Sequence, residues 1–75
     1  MKDLVEFIAK SLVDDPDAVM VRESVTGKKV NVFLSVAEED MGKVIGKQGR
    51  IAKAIRTVVN AAATKENKQV HVEIV

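Results

Sequence analysis

The chain has 75 residues, of which 47% are hydrophobic and 31% are charged, and this length and composition predict one folded domain. It contains no cysteine, which excludes a disulfide framework and a thiolate metal site. The formal net charge is only +1, but residues 41–65 carry six lysines and arginines and no acid. A nearly neutral protein with one basic segment can attract an anion locally.

The first half of the chain predicts a helix followed by a hairpin. Apolar residues at helical spacing predict a helix over residues 2–13, and the DDP run at residues 14–16 ends it. Alternating apolar residues predict a strand over residues 18–26, and the alternation resumes over residues 30–36. Because Gly27 lies in a turn between them, we expect the two strands to pair antiparallel.

The second half predicts two helices and a third strand. Three acids at residues 38–40 favour a helix start, and the apolar spacing that follows predicts a short helix to about Ile45, which Gly46 ends. A longer helix is predicted over residues 50–63, and alternation predicts a strand over residues 70–74. The apolar stripe of the longer helix is expected to comprise Ile51, Ala54, Ile55, Val58, Val59 and Ala62.

The two helices between the second and third strands form a crossover connection, which predicts that those strands are parallel. The predicted fold class is therefore α+β: two layers, a three-stranded mixed sheet with three helices on one face, and the order α-β-β-α-α-β. We expect the other sheet face to be open to solvent or used for association. That face carries Met20, Arg22, Asn31, Phe33, His71 and Val75.

The segment KVIGKQGRIAKAIR, residues 43–56, concentrates cations around two glycines. Arg50, Lys53 and Arg56 share a polar face that begins at the predicted N-terminus of the longer helix. A helix N-terminus stabilises an anion, and glycines at 46 and 49 let another backbone approach closely. A helix cap, a tight turn and a solvated basic face would explain the same residues without a ligand.

Other kinds of site find little support in the sequence. The glycine spacing fits neither a Walker A loop nor a dinucleotide-binding fingerprint, and no nucleophile, base and orienting group form a set. The acids at 38–40 complement a helix dipole more simply than they bind a metal. We therefore predict no enzyme, no cofactor and no metal. No stretch approaches a membrane-spanning length, and we expect a cytoplasmic location.

VIGKQGR at residues 44–50 resembles the GxxG signature of the KH domain, and the predicted element order is similar to the type II, or prokaryotic, variant of that fold. The resemblance covers residues 1–75 as a single KH domain and points to the small stand-alone bacterial KH proteins. It implies binding of single-stranded RNA, with single-stranded DNA as an alternative, through a loop that clamps about four nucleotides. It also implies a homodimer, or a heterodimer with a larger KH-domain protein.

Carried over by position, the resemblance assigns roles within the basic segment. Residues 46–49 would clamp phosphates, Ile45 would help to floor a groove for the bases, and Lys43, Arg50 and Lys53 would surround the backbone path. The nucleic-acid-binding residues so predicted are Lys43, Ile45, Gly46, Lys47, Gln48, Gly49, Arg50 and Lys53.

The scarcity of aromatic residues limits how RNA could be bound. With no Trp or Tyr and two Phe, base stacking should contribute little, so we expect weak affinity and a loose sequence preference. With the resemblance to KH proteins, we predict an RNA chaperone or post-transcriptional regulator. The alternative is a KH-like protein-interaction module that acts through a homodimer or a larger KH-containing partner.

Overall fold

Helix α1 spans Lys2–Leu12 in the computed structural model, which describes residues 1–46 and 49–75. Val5 and Ala9 on its inner face are buried, and a short 3-10 helix, Pro16–Ala18, follows it. On its outer face Lys10 donates a hydrogen bond to Glu6, and this bond and the charge of Lys10 hold the pKa of Glu6 below its usual range. The helix predicted over residues 2–13 is confirmed.

Three strands form a mixed sheet in the spatial order β1 (Met20–Thr26), β2 (Lys29–Ser35) and β3 (Gln69–Ile74). Strands β1 and β2 pair antiparallel as the predicted hairpin, and β2 pairs parallel with β3. Since parallel neighbours need a long connection, the helical segment between them is the predicted crossover. The fold class, α+β with a three-stranded mixed sheet, is confirmed.

The connection between β2 and β3 is helical, α2 (Glu38–Lys65), and it is divided at Gly49. The φ angle of Gly49 is +68°, whereas a regular α-helix needs a φ near −63°. The order α-β-β-α-α-β is therefore confirmed, but the left-handed residue is Gly49 and not Gly46, which was predicted to end the first helix. We call residues 38–46 the N-terminal arm of α2 and residues 50–65 its C-terminal arm.

The core lies between the helices and the inner face of the sheet. Val30, Val32 and Leu34 alternate inward along β2, and Val44 on the N-terminal arm is fully buried beside them in the same cluster. Among the described residues, the buried members of this cluster are Val5, Ala9, Val19, Val21, Val30, Val32, Leu34, Val36, Val44, Ala52, Ile55, Val59 and Val72.

The buried stripe of the C-terminal arm differs from the predicted one. Its buried members are Ala52, Ile55, Val59 and Ala63, whereas Val58 is 45% exposed and Ala54 is also exposed. Apolar side chains occupy most of this arm's circumference, so their spacing alone does not identify which of them face the sheet. The small alanines at both ends of the buried stripe suit a helix that packs closely on a sheet.

One acid of the 38–40 run is buried. Asp40 is 1% exposed, and its two carboxylate oxygens accept hydrogen bonds from the backbone N–H groups of Asp14 (3.1 Å) and Asp15 (3.0 Å). Glu38 and Glu39 are exposed at the helix start, in agreement with a dipole role. Asp40 instead fastens the loop after α1 to the first turn of α2.

We predict that Asp40→Ala lowers the free energy of unfolding by about 2–4 kcal/mol, because two loop amides lose a charged acceptor in a part-buried setting. Glu39→Ala, at the exposed neighbouring position, should change it by less than about 0.5 kcal/mol. Urea denaturation of the two variants measures both values. Equal stabilities would contradict the fastening role of Asp40.

Candidate nucleic-acid interface

An open groove of about 460 Å³ lies between α2 and β3. Its floor and apolar wall come from both arms of α2 and the end of β3, and two cations stand along the C-terminal arm. The residues that line it are Ile45, Gly49, Ala52, Lys53, Arg56, Glu73 and Ile74.

Several predicted site residues meet at this groove. Ile45, Gly49 and Lys53 line it directly, and Ile45 is 57% exposed although it is a large apolar side chain. Gly46 is half-buried and Arg50 is exposed on the neighbouring surface of α2. Lys47 and Gln48 lie outside the described residues.

The structure explains a glycine at position 49 but not one at position 46. Gly49 needs its positive φ, because an L-residue in that region is strained by about 1–2 kcal/mol. Gly46 is helical, and a Cβ built on it would meet no atom within 4 Å among the described residues. A helical glycine destabilises a fold by about 1 kcal/mol relative to alanine. The fold therefore gives no steric reason for a glycine at position 46.

Lys43, a predicted phosphate ligand, already has an anionic partner. Its Nζ lies 3.0 Å from Oδ1 of Asp14, and the two side chains are 43% and 78% exposed. An exposed ion pair of this kind contributes only about 0–1 kcal/mol. Lys43 is not one of the described residues that line the groove, and its charge is partly neutralised by Asp14.

Arg56 belongs to the site although it was not among the predicted ligands. Its Nη2 donates a hydrogen bond to the backbone oxygen of Val72, at 3.4 Å. The amide of Gln69 donates to the carbonyl of Lys28, just before β2, and the amide of Val75 donates to that of Leu34 in β2. The intervening even-numbered residues therefore direct their backbone groups to the free edge of β3. Arg56 hydrogen-bonds to one of these carbonyls, that of Val72. The N–H and C=O of Ile74 lie on the same edge, where Ile74 lines the groove. In the sequence, only its place on the basic face of the helix indicated that Arg56 could belong to the site.

Other chemistry is not apparent in the described residues. Over residues 1–46 and 49–75, no three carboxylate or imidazole side chains come together as a metal site. Within the same ranges, no helix has both the length and the apolar character required to cross a bilayer.

A family model described as "KhpA/KhpB, KH domain" matches residues 2–74. The chain belongs to this KH-domain family. It is 67% identical over 75 residues to the RNA-binding protein KhpA of Clostridium perfringens and to that of Clostridium acetobutylicum, with 100% of each chain covered. The KhpA of Caldanaerobacter subterraneus is 63% identical over the same length. No solved structure matched the chain.

The family assignment bears on two of the sequence predictions. The predicted membership of the KH family is confirmed over nearly the whole chain. These KhpA relatives are named for RNA binding and not for a catalysed reaction, in agreement with the prediction that the chain is not an enzyme.

We predict opposite effects of alanine at the two glycines on stability. Gly46→Ala should leave the free energy of unfolding unchanged or raise it by up to about 1 kcal/mol, because alanine favours the helix and meets no neighbour. Gly49→Ala should lower it by about 1–2 kcal/mol through backbone strain. Urea denaturation of both variants measures the difference. A Gly46→Ala variant as unstable as Gly49→Ala would show that the fold itself requires Gly46.

Proposed function

We propose that the chain binds single-stranded RNA, with residues 46–49 against the phosphate backbone and the bases in the groove between α2 and β3. The observation that carries the proposal is the groove, where three of the predicted site residues, Ile45, Gly49 and Lys53, meet. Gly46 follows Ile45 directly in the helix, and among the described residues a Cβ added to it would meet no atom within 4 Å. A bare backbone lets a sugar-phosphate chain approach more closely than any side chain would.

The charges around the groove support a path for phosphates. Lys53 and Arg56 line it, and Arg50 lies one turn before them on the same arm of α2. Residues 41–65 hold no acid, so a polyanion that follows this arm meets no like charge from it. The phosphates then supply most of the affinity and little of the specificity.

The groove also suits unpaired bases. Ile45, Ala52 and Ile74 offer apolar surface to a base face, and the backbone groups of Ile74 can hydrogen-bond to a base edge. Sequence-specific RNA recognition uses bases that are not paired in a helix. Because none of the described residues that line the groove is aromatic, stacking is weak and the sequence preference is loose.

The proposal extends to the role and partners of the protein. Weak binding with little sequence preference suits an RNA chaperone or post-transcriptional regulator in the cytoplasm, and single-stranded DNA would fit the same contacts. A second RNA-binding module raises the effective concentration without new contacts, so a homodimer or a heterodimer with a larger KH-domain protein would increase the affinity. These assignments stay predictions.

A protein-interaction module is the second candidate function, and the open sheet face favours it. Met20 and Val75 are exposed on that face and Phe33 is half-buried beside them. Exposed apolar side chains that lie together often mark a surface for a protein partner. The two functions use different surfaces, so variants of residues 46–49 separate them.

We predict that the double variant Lys47→Asp, Gln48→Asp loses at least about tenfold in affinity for a single-stranded oligoribonucleotide, because acids beside the glycines repel phosphate. Its melting temperature should change little. The matched control is Lys28→Asp, Gln69→Asp, which makes the same charge change at the other end of β3, where the two residues are hydrogen-bonded neighbours. Fluorescence anisotropy measures the affinities. Equal affinities of the double variant and the control would exclude the clamp, and loss of a protein partner alone would support the second function.

The salt dependence of binding is a separate expectation. If two to four phosphates are neutralised, the slope of log affinity against log salt should be roughly −1.4 to −2.8 for a single strand. Anisotropy titrations at several salt concentrations give this slope. A slope near zero would contradict a phosphate clamp, since binding would then release no counterions.

A further inference from the structure

We propose that Asp14 is an internal competitor for the phosphate contact at Lys43, so that the loop after α1 limits the affinity for RNA. The inference rests on the proposed function and deepens it. It begins from the position of the carboxylate, 3.0 Å from the ammonium of Lys43, a residue that precedes Gly46 by three positions and so shares its side of the helix. A phosphate that contacts Lys43 has to displace this carboxylate or share the ammonium with it.

The buried carboxylate of Asp40 fixes the position of Asp14. Asp40 accepts the backbone N–H groups of Asp14 and Asp15, which holds the loop against the N-terminal arm of α2. Lys43 follows Asp40 by three residues, so the two side chains lie on one face of the helix. Asp40, which anchors the loop, and Lys43, whose charge the loop partly neutralises, therefore lie on adjacent turns of one helix.

The fold does not need the carboxylate of Asp14. Its contribution to the anchor comes from the backbone N–H, which any residue except proline supplies. Its side chain is 78% exposed, and its partner is the exposed ammonium of Lys43. Such a pair stabilises the fold little but places a negative charge where a phosphate of the RNA would lie.

The competition depends on salt in a characteristic way. The Debye length falls from about 10 Å at 0.1 M to 3 Å at 1 M, so both the ion pair and the repulsion of the RNA by Asp14 weaken as salt rises. The carboxylate therefore reduces the affinity most at low salt. Asp14 therefore weakens RNA binding and makes its dependence on salt less steep than it would be if only the cations acted on the RNA.

The test compares Asp14→Asn with the unmodified protein in binding of a single-stranded oligoribonucleotide. We expect the affinity to rise about two- to fivefold at low salt, the effect of losing one exposed ion pair, and the gain to disappear near 1 M salt. The melting temperature should stay the same, because the backbone anchor to Asp40 remains. Asp17→Asn is the matched control, since Asp17 carries the same charge three residues further along, in the 3-10 helix, and takes part in none of the ion pairs between described residues.

A second comparison isolates the role of Lys43. In a Lys43→Gln background, Asp14→Asn should give no more gain than Asp17→Asn, because the contact for which Asp14 competes is absent. Equal gains from Asp14→Asn and Asp17→Asn in the unmodified background would overturn the inference, and so would a full gain without Lys43. If the protein binds RNA and only this comparison fails, the proposed function stands. If neither the unmodified protein nor Asp14→Asn binds the oligoribonucleotide, both proposals fail.

Discussion

The left-handed backbone of Gly49 is the constraint on which the rest of the structure depends. It divides α2 so that Val44 before it and Ile55 and Val59 after it enter one core. Glycine adopts a φ of +68° without the strain that a side chain adds. Residues on both sides of the division line the groove, Ile45 from one arm and Lys53 from the other, together with Ile74 of β3.

The buried carboxylate of Asp40 is the second constraint, and it links the fold to the electrostatics. By holding the backbone of Asp14 and Asp15, it brings the acidic loop after α1 to the start of the basic segment. The charges of the chain are therefore not separated as widely in space as they are in sequence. Lys43 is partly neutralised, while Lys53 and Arg56 stand along the groove, and Arg56 contacts the edge of the sheet. The balance suits a protein that binds nucleic acid weakly and releases it readily.

Much of the fold followed from local patterns in the sequence, because the alternation in β1, β2 and β3 and the period of α1 each report one buried face. The features that were missed depend on contacts between distant elements. Either Gly46 or Gly49 could end a helix by its chemistry, and only the folded backbone shows that Gly49 is the one with a positive φ. Asp40 looked equivalent to two neighbouring acids until the loop after α1 supplied its partners. The contact of Arg56 likewise required the sheet order, which places β3 at an edge.

The most direct test of the account is to map the RNA surface residue by residue by NMR. A single-stranded oligoribonucleotide titrated into ¹⁵N-labelled protein should shift the amide resonances of Gly49, Lys53 and Ile74, which line the groove, and that of Gly46, which follows the lining residue Ile45. The amides of Asn31 and His71, on the open sheet face, should remain unshifted. Shifts confined to the open sheet face, with the glycine resonances unchanged, would contradict the claim that RNA lies between α2 and β3.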